Sequence, residues 1–328
     1  MSKCIGCGVE LQSTNKEKLG YVNSLDNNLC ERCFKIRNYN EYRFVIKDNN
    51  EYINILNKIS KTNDLVVLVV DLFNISSNLD SISNYINNDV LLVLSKRDIL
   101  PKSCPDIKFL DYFNNLNLNI IDRLVISSKK NYNLDELYNK INKYKKSNLV
   151  YIVGYTNSGK STLINKIIYN YSNLNNEITT SNLPSTTIDS IYIKVNDSLT
   201  LVDTPGLLDL GDISNNVDEK VLKQIIPVKE IKPITYQVKC KQSIIINNLV
   251  RIDLLDNTNI TIYMSNSLNI KRVFRSDNYL KDLKEYDLSV LKNQDLVIEG
   301  LGFINFSNHC NIKVYVDKAH ISLRKELI

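Results

Sequence analysis

Unbroken apolar runs punctuate the middle of the chain. Asp64–Val70 is a Leu/Val run closed by Asp71. A continuous run of that kind predicts a parallel strand buried on both faces. Val90–Leu94, Leu124–Ile126 and Leu149–Val153 repeat the signal. Leu134, Leu137, Tyr138 and Ile141 share one helical face and predict a helix near Leu134–Lys145, and a second helix is predicted to start near Lys160. Ile191–Val195 and Leu199–Val202 read as two strands joined by a turn at Asn196-Asp197. This alternation is that of a doubly wound α/β sheet. Further on the pattern becomes β-rich: Thr235–Cys240, Ser243–Ile246, Leu249–Leu255, Ile260–Met264, Asn269–Phe274, Asp295–Gly300 and Asn311–Val316 predict strands, interrupted by a helix near Asp277–Lys292. The expected organisation is a module over residues 1–47, an α/β domain over 48–215 and a β-rich domain over 216–328.

Composition narrows the class. The chain has 328 residues, 43% hydrophobic and 23% charged, which is ordinary globular usage. That excludes a wholly disordered, collagen-like or disulfide-dense chain. No apolar run approaches the roughly 20 residues of a membrane-spanning helix, and Met1-Ser2-Lys3-Cys4 opens no signal core. A cytoplasmic location and no membrane partner are expected. The net charge of +5 is spread as +3, −2 and +4 over the three segments. Basic ends suit a polyanion held by the flanks; they also describe ordinary solvated surfaces.

Seven cysteines in such a chain are expected to be reduced. Cys4, Cys7, Cys30 and Cys33 form two C-x2-C pairs. That spacing suits a structural zinc site, with four thiolates closing the tetrahedron; a redox pair is the alternative. A short segment with few large apolar side chains needs such a clip to hold together. Cys104, Cys240, Cys310, His309 and His320 have no ligand-spaced partners and take no role. Arg32, Lys35, Arg37, Tyr39, Tyr42, Arg43 and Phe44 interleave basic and aromatic side chains. Such a stretch either contacts RNA or packs the small module onto its neighbour.

The sharpest signal follows the strand at 149–153. Gly154 to Ser161 reads Gly-Tyr-Thr-Asn-Ser-Gly-Lys-Ser and fits G-x4-G-K-[ST] between a strand and a helix. Backbone N–H groups of such a loop wrap phosphates, and the helix N-terminus adds positive potential. Gly154, Asn157, Ser158, Gly159, Lys160, Ser161 and Thr162 are the candidate phosphate contacts. Lys160 would reach the β- and γ-phosphates and Ser161 would ligate Mg²⁺. Asp203-Thr204-Pro205-Gly206 follows another strand; Asp203 would hold Mg²⁺ through water and the Gly206 N–H would sense the γ-phosphate. Between them, Thr186 and Thr187 offer a switch threonine for Mg²⁺, with Thr187 preferred.

A phosphate loop does not choose a base. Guanine needs an acceptor for N1–H and the 2-amino group, and a carboxylate serves both. Ser95-Lys96-Arg97-Asp98 follows the strand at 90–94 and matches [NT]-K-x-D loosely. Asp98 would read guanine and the Lys96 stem would cover the ring. Ser127-Ser128-Lys129 matches the loop that contacts guanine O6 through a backbone N–H. The motif order is unusual: base-reading loops, phosphate loop, switch threonine, then D-T-P-G. That order is a circular permutation, which can leave the sheet unchanged because the site depends on strand-end loops. It also sends the chain from the second switch straight into the C-terminal segment.

With those motifs in place, the chain resembles the circularly permuted, ribosome-associated GTPases of the YqeH type. The resemblance rests on the Cys4–Cys33 finger, the permuted order, Leu100-Pro101-Lys102-Ser103, the stretch from Pro227 to Pro233, and Gly300-Leu301-Gly302-Phe303. It implies a P-loop GTPase using GTP/GDP and Mg²⁺, with a zinc finger and an RNA-, peptide- or ribosome-binding β-rich domain. Its implied role is assisting assembly of the small (30S) ribosomal subunit, contacting rRNA in a GTP-dependent way. Lys160, Thr187, Asp203 and Gly206 are then the residues expected to carry hydrolysis. Oligomeric state is not readable, and a monomer is the default.

Three departures bear on activity. Ser95 stands where Asn, which helps tie the guanine loop to the phosphate loop, is commoner, and weaker affinity with unchanged base choice is expected. Ser185 replaces the usual Gly before the switch threonines. Leu207 stands where Ras-like enzymes place the Gln that orients water, so intrinsic turnover is expected to be slow. Asn157 occupies the position that helps bind K⁺ in related enzymes, which would neutralise developing charge; otherwise it only stabilises its loop. A GTP-binding RNA-binding or chaperone scaffold with negligible turnover is the competing reading.

Overall fold

The computed structural model describes residues 4, 10–14, 20–31, 49–172, 180–181, 190–274, 279–317 and 319–328. Cys7, Cys33, Ser185, Thr186, Thr187 and the basic aromatic stretch from Arg32 to Phe44 lie outside them. The chain divides into two compact units. One spans residues 1–72, 78–97 and 113–208; the other spans 73–77, 98–112 and 209–328.

The first unit is built on a seven-stranded sheet. Its strands are β1 (Leu65–Asp71), β2 (Val90–Ser95), β3 (Ile120–Val125), β4 (Leu149–Val153), β5 (Thr180–Ser181), β6 (Ile191–Asn196) and β7 (Leu199–Asp203). They lie in the order β3-β2-β1-β4-β7-β6-β5. The first five in that order run parallel, while β6 and β5 complete the edge antiparallel. Every residue of β1 is buried, the reason its sequence does not alternate. The parallel direction brings the C-terminal ends of β1, β2, β3, β4 and β7 to one edge. The segments that carry Lys96, Ser127, Gly154 and Thr204 leave the sheet there.

Helices Leu134–Tyr144 (α3) and Lys160–Tyr171 (α4) bury Leu134, Leu137 and Ile141, and Leu163, Ile164, Ile167 and Ile168, in the same core as the strands. An unexpected helix, Asn49–Ile59 (α1), precedes β1. Tyr52, Ile55, Leu56 and Ile59 are its buried residues, an i, i+3, i+4, i+7 stripe. In the N-terminal segment Cys4 and Cys30 are buried with Leu11 and Val22 in a small separate core.

The second unit carries helices Asp106–Tyr112 (α2) and Glu219–Ile225 (α5), the latter capped where the Asp218 carboxylate accepts the Val221 N–H at 2.8 Å. Its strands are β8 (Ile234–Val238), β9 (Gln242–Ile246), β10 (Val250–Leu254), β11 (Thr258–Met264), β12 (Ile270–Phe274), β13 (Glu285–Val290), β14 (Gln294–Ile298), β15 (Gly302–Phe306), β16 (Cys310–Val316) and β17 (Ile321–Lys325). They form two five-stranded sheets, β12-β9-β10-β16-β13 and β17-β14-β15-β11-β8. Apolar side chains from both sheets join one core, including Ile244, Ile252, Val314, Ile262, Ile298 and Phe306. The helix expected near Asp277–Lys292 is corrected. Glu285–Val290 is a strand paired antiparallel with Cys310–Val316. Tyr286, Leu288 and Val290 alternate with the more exposed Glu285, Asp287 and Ser289, a period of two that suits one half-buried face. Leu280, at φ 55°, lies in the turn before it.

Candidate functional site: a phosphate loop at the strand ends

The loop between β4 and α4 starts at Gly154, whose φ is +155°. A Cβ there would stand 2.3 Å from the Val69 carbonyl oxygen, so no larger residue fits without moving β1. Asn157, at φ 61°, and Gly159, at φ 95°, hold the left-handed turns that let the chain fold back on itself. Asn does so at modest cost and Gly at none. Ser158 is buried, Asn157 is exposed, Ser161 is half-buried at the first turn of α4, and Thr162 is exposed.

Lys160 is 6% exposed. Its Nζ donates to the carbonyls of Gly154 and Tyr155, both at 2.8 Å. Burial pulls its pKa down to about 8, and the nearby Asp203 carboxylate partly offsets that. Asp203 ends β7 and is fully buried, as is Thr204; the Thr204 hydroxyl donates to the Ile152 carbonyl at 2.8 Å and fixes the turn against β4. A buried, partly compensated cation beside a buried carboxylate is a place prepared for anionic oxygens with a cation between.

The second switch is stitched to the phosphate loop. The Thr156 N–H donates to the Leu207 carbonyl at 2.9 Å, and the Leu207 N–H donates to the Gly154 carbonyl at 3.3 Å. Gly206 packs so closely that a Cβ would stand 2.9 Å from the Thr156 side chain. Any movement of Gly206 toward a phosphate must therefore pass through this bridge.

At the neighbouring strand end, Ser95 is 3% exposed. Its hydroxyl lies 2.6 Å from the Ser158 carbonyl and 3.1 Å from the Val70 carbonyl, and its single proton serves one acceptor at a time. The short Ser95 side chain thus reaches the phosphate loop directly. Lys96, at φ 61°, turns its stem back so that Nζ pairs with Asp71 at 2.7 Å. Asp98 lies in the one-turn 3-10 helix Arg97–Ile99 that follows β2 in the chain. After β3, Ser127 is closed into a tight loop. Its N–H and carbonyl pair with Tyr132 at 3.2 and 2.9 Å, and its hydroxyl accepts the Lys130 N–H at 3.0 Å. Ser128 is half-buried and Lys129 exposed on that loop.

The first unit thus gathers Ser95, Lys96, Ser127, Ser128 and Lys129 and the phosphate-loop residues at strand ends that share one edge with Asp203. Asp71 was not singled out for a role in the sequence; its position at the end of a buried strand is the signal that marks it. In the N-terminal segment, the Cys30 N–H donates to Cys4 Sγ at 3.2 Å. That contact places the two cysteines near each other. Among the described residues no group of three metal-ligating side chains is assembled, and no helix is long and apolar enough to cross a membrane.

Residues 149–266 match the family model described as 50S ribosome-binding GTPase. The chain is 33% identical to the protein YqeH of Bacillus subtilis, over 99% of both chains. It is 25% identical to NO-associated protein 1 of Arabidopsis thaliana over 51% of this chain and 35% of that one. It is 26% identical to the probable GTP-binding protein EngB of Buchnera aphidicola over 54% of this chain and 70% of that one.

Proposed function

The chain belongs to the YqeH family of GTPases, and from that premise we propose that it is a circularly permuted GTPase whose nucleotide cycle times its binding to a ribosomal subunit during assembly. The observation that carries the reading is the strand order. The loops after β2 and β3 precede the phosphate loop in the chain, yet all leave one edge of one parallel sheet, with β1 and β4 adjacent at its centre. Chain order is permuted while the site's spatial order is that of a single nucleotide cleft.

In this reading Asp98 accepts from guanine N1–H and the amino group, and Lys96, held by Asp71 at 2.7 Å, lays its stem on the ring. The Ser127–Lys129 loop offers a backbone N–H to O6. Lys160 leaves the Gly154 and Tyr155 carbonyls part-way to meet the β- and γ-phosphates. Ser161 and Asp203, with Thr187, hold Mg²⁺, which when bound neutralises phosphate charge. Water attacks the γ-phosphorus and the bond to the GDP oxygen breaks. Leu207 has no side-chain group to orient that water, so turnover is slow until a partner or a K⁺ ion beside Asn157 completes the charge balance. Cys4, Cys7, Cys30 and Cys33 hold a structural zinc that folds the N-terminal module in the cytoplasm, and chelation unfolds that module.

The resemblance of the whole chain supports the small subunit and its rRNA as partner, whereas the matched family model carries a large-subunit description. The second reading, a GTP-binding scaffold with negligible turnover, is favoured by Leu207 alone. Hydrolysis assays with GTP, ATP and XTP, on wild type and Asp98→Asn, test the base-reading step. Wild type should turn over GTP and not ATP, and the variant should lose GTP and gain XTP, because a carboxamide reverses the donor–acceptor pattern. Equal use of ATP by wild type would sink the guanine assignment.

A further inference from the structure

Tyr52 is 1% exposed and sits on α1, outside every motif. Its hydroxyl is fully buried. It lies beside the Gly154 backbone and the Tyr155 phenol, and burial pushes its ionisation well above the ordinary tyrosine range. The phenol therefore sits against the start of the phosphate loop.

The surroundings show what the ring holds. Tyr52, Ile53, Leu56, Tyr155, Leu207 and Leu208 line a cavity of about 190 Å³. On its other side Gly154 is closed off by the Val69 carbonyl, which leaves no room for even a Cβ. The phosphate loop is therefore clamped between a rigid strand and a helix that borders an empty space. Leu207 and Leu208 edge the same space, and Leu207 is bonded to Gly154 and Thr156. The phosphate loop and the second switch both border that cavity through Tyr155, Leu207 and Leu208, and Tyr52 lines it with them.

We propose that Tyr52 is a positioning residue for nucleotide binding: its ring braces Gly154–Tyr155, so that α1 holds the phosphate loop in its binding shape. The proposal rests on the GTP-binding reading of that loop. A loop ordered in advance loses less freedom on binding. The brace acts alike on ground and transition states, so it affects KM and nucleotide release and leaves kcat alone.

The test uses the full chain, fluorescent mant-GDP release and steady-state GTP hydrolysis. Tyr52→Leu should speed release about tenfold and raise KM by a similar factor with kcat within about twofold. Tyr52→Phe, which keeps the ring and removes the hydroxyl beside Gly154, should fall between wild type and Tyr52→Leu. Ile53→Phe, which fills the cavity from a half-buried position, should slow release about threefold, and it stands in should Tyr52→Leu not fold. Leu137→Ala in α3 controls for general loosening and should leave release within about twofold. Unchanged release in both Tyr52→Leu and Ile53→Phe would overturn the brace, as would equal acceleration by Leu137→Ala. Failure of wild type to bind mant-GDP would instead overturn the GTP-binding reading on which it rests.

Discussion

Replacing Ser95 by Ala probes the joint between the base-reading strand and the phosphate loop. The change removes one hydroxyl at a 3%-exposed position and leaves the Ser158 and Val70 carbonyls without it. A typical intramolecular hydrogen bond contributes about 0.5–1.5 kcal/mol, and stranding a buried carbonyl costs about 1–3 kcal/mol. The Val70 contact is long at 3.1 Å, so the 2.6 Å bond to Ser158 should dominate. An effect of about 1–2 kcal/mol on the bound state follows, which is roughly a five- to thirtyfold loss of affinity. Isothermal titration with GDP measures it directly, and a thermal melt of the nucleotide-free chain separates binding from folding. Ser95→Asn is not a simple restoration, because the larger amide must enter a buried site beside Gly159 and overpacking costs about 1–3 kcal/mol. GDP affinity within twofold of wild type in Ser95→Ala would refute the tether.

Gly154→Ala should abolish nucleotide binding and lower the melting temperature sharply, since the new methyl would stand 2.3 Å from the Val69 carbonyl at a left-handed φ; a normal GDP titration would contradict that geometry. Lys160, with its pKa held near 8 by burial, should regain its proton when phosphates enter, so GDP binding at pH 8 should take up about half a proton, read by calorimetry in buffers of different ionisation enthalpy. Loss of binding in Lys160→Ala would not test this, but binding with no proton uptake would. Glu299 is buried beside Asp209, His320 and the Ser77 N–H, and burial raises its carboxyl pKa. The folded state then holds that proton more tightly, so its stabilising effect is full below about pH 4.5 and is lost as pH rises through the folded value. Glu299→Gln should flatten that part of the stability profile, with Asp295, also raised by burial, leaving a residual slope; an unchanged profile would show that Glu299 does not titrate there.

The sheet was legible because its strands advertise themselves. Leu65–Val70 has no polar residue to hide it, and Lys160 is placed by a spacing that few other structures need. What the sequence obscured was set by tertiary contacts. The stripe of Tyr52, Ile55, Leu56 and Ile59 is short and flanked by Asn-rich polar residues, so its helical period was overlooked. Residues 285–290 carry enough Glu, Asp and Leu to favour a helix, but pairing with Cys310–Val316 overrides local preference. Ser95 has a shorter side chain than Asn, and only the fold brings the phosphate loop close enough for a hydroxyl to reach it. Glu299 and Asp209 are far apart in sequence, and no spacing rule joins them. Asp71 and Asp203 both end buried strands, yet only Asp203 sits in a motif.

Co-sedimentation of the full chain with separated small and large ribosomal subunits, in GDP and in a non-hydrolysable GTP analogue, tests the nucleotide-timed role most directly. Small-subunit binding with the analogue, weakened in GDP and lost in Asp98→Asn, is the expected result. Equal binding in every nucleotide state, or binding confined to the large subunit, would contradict it.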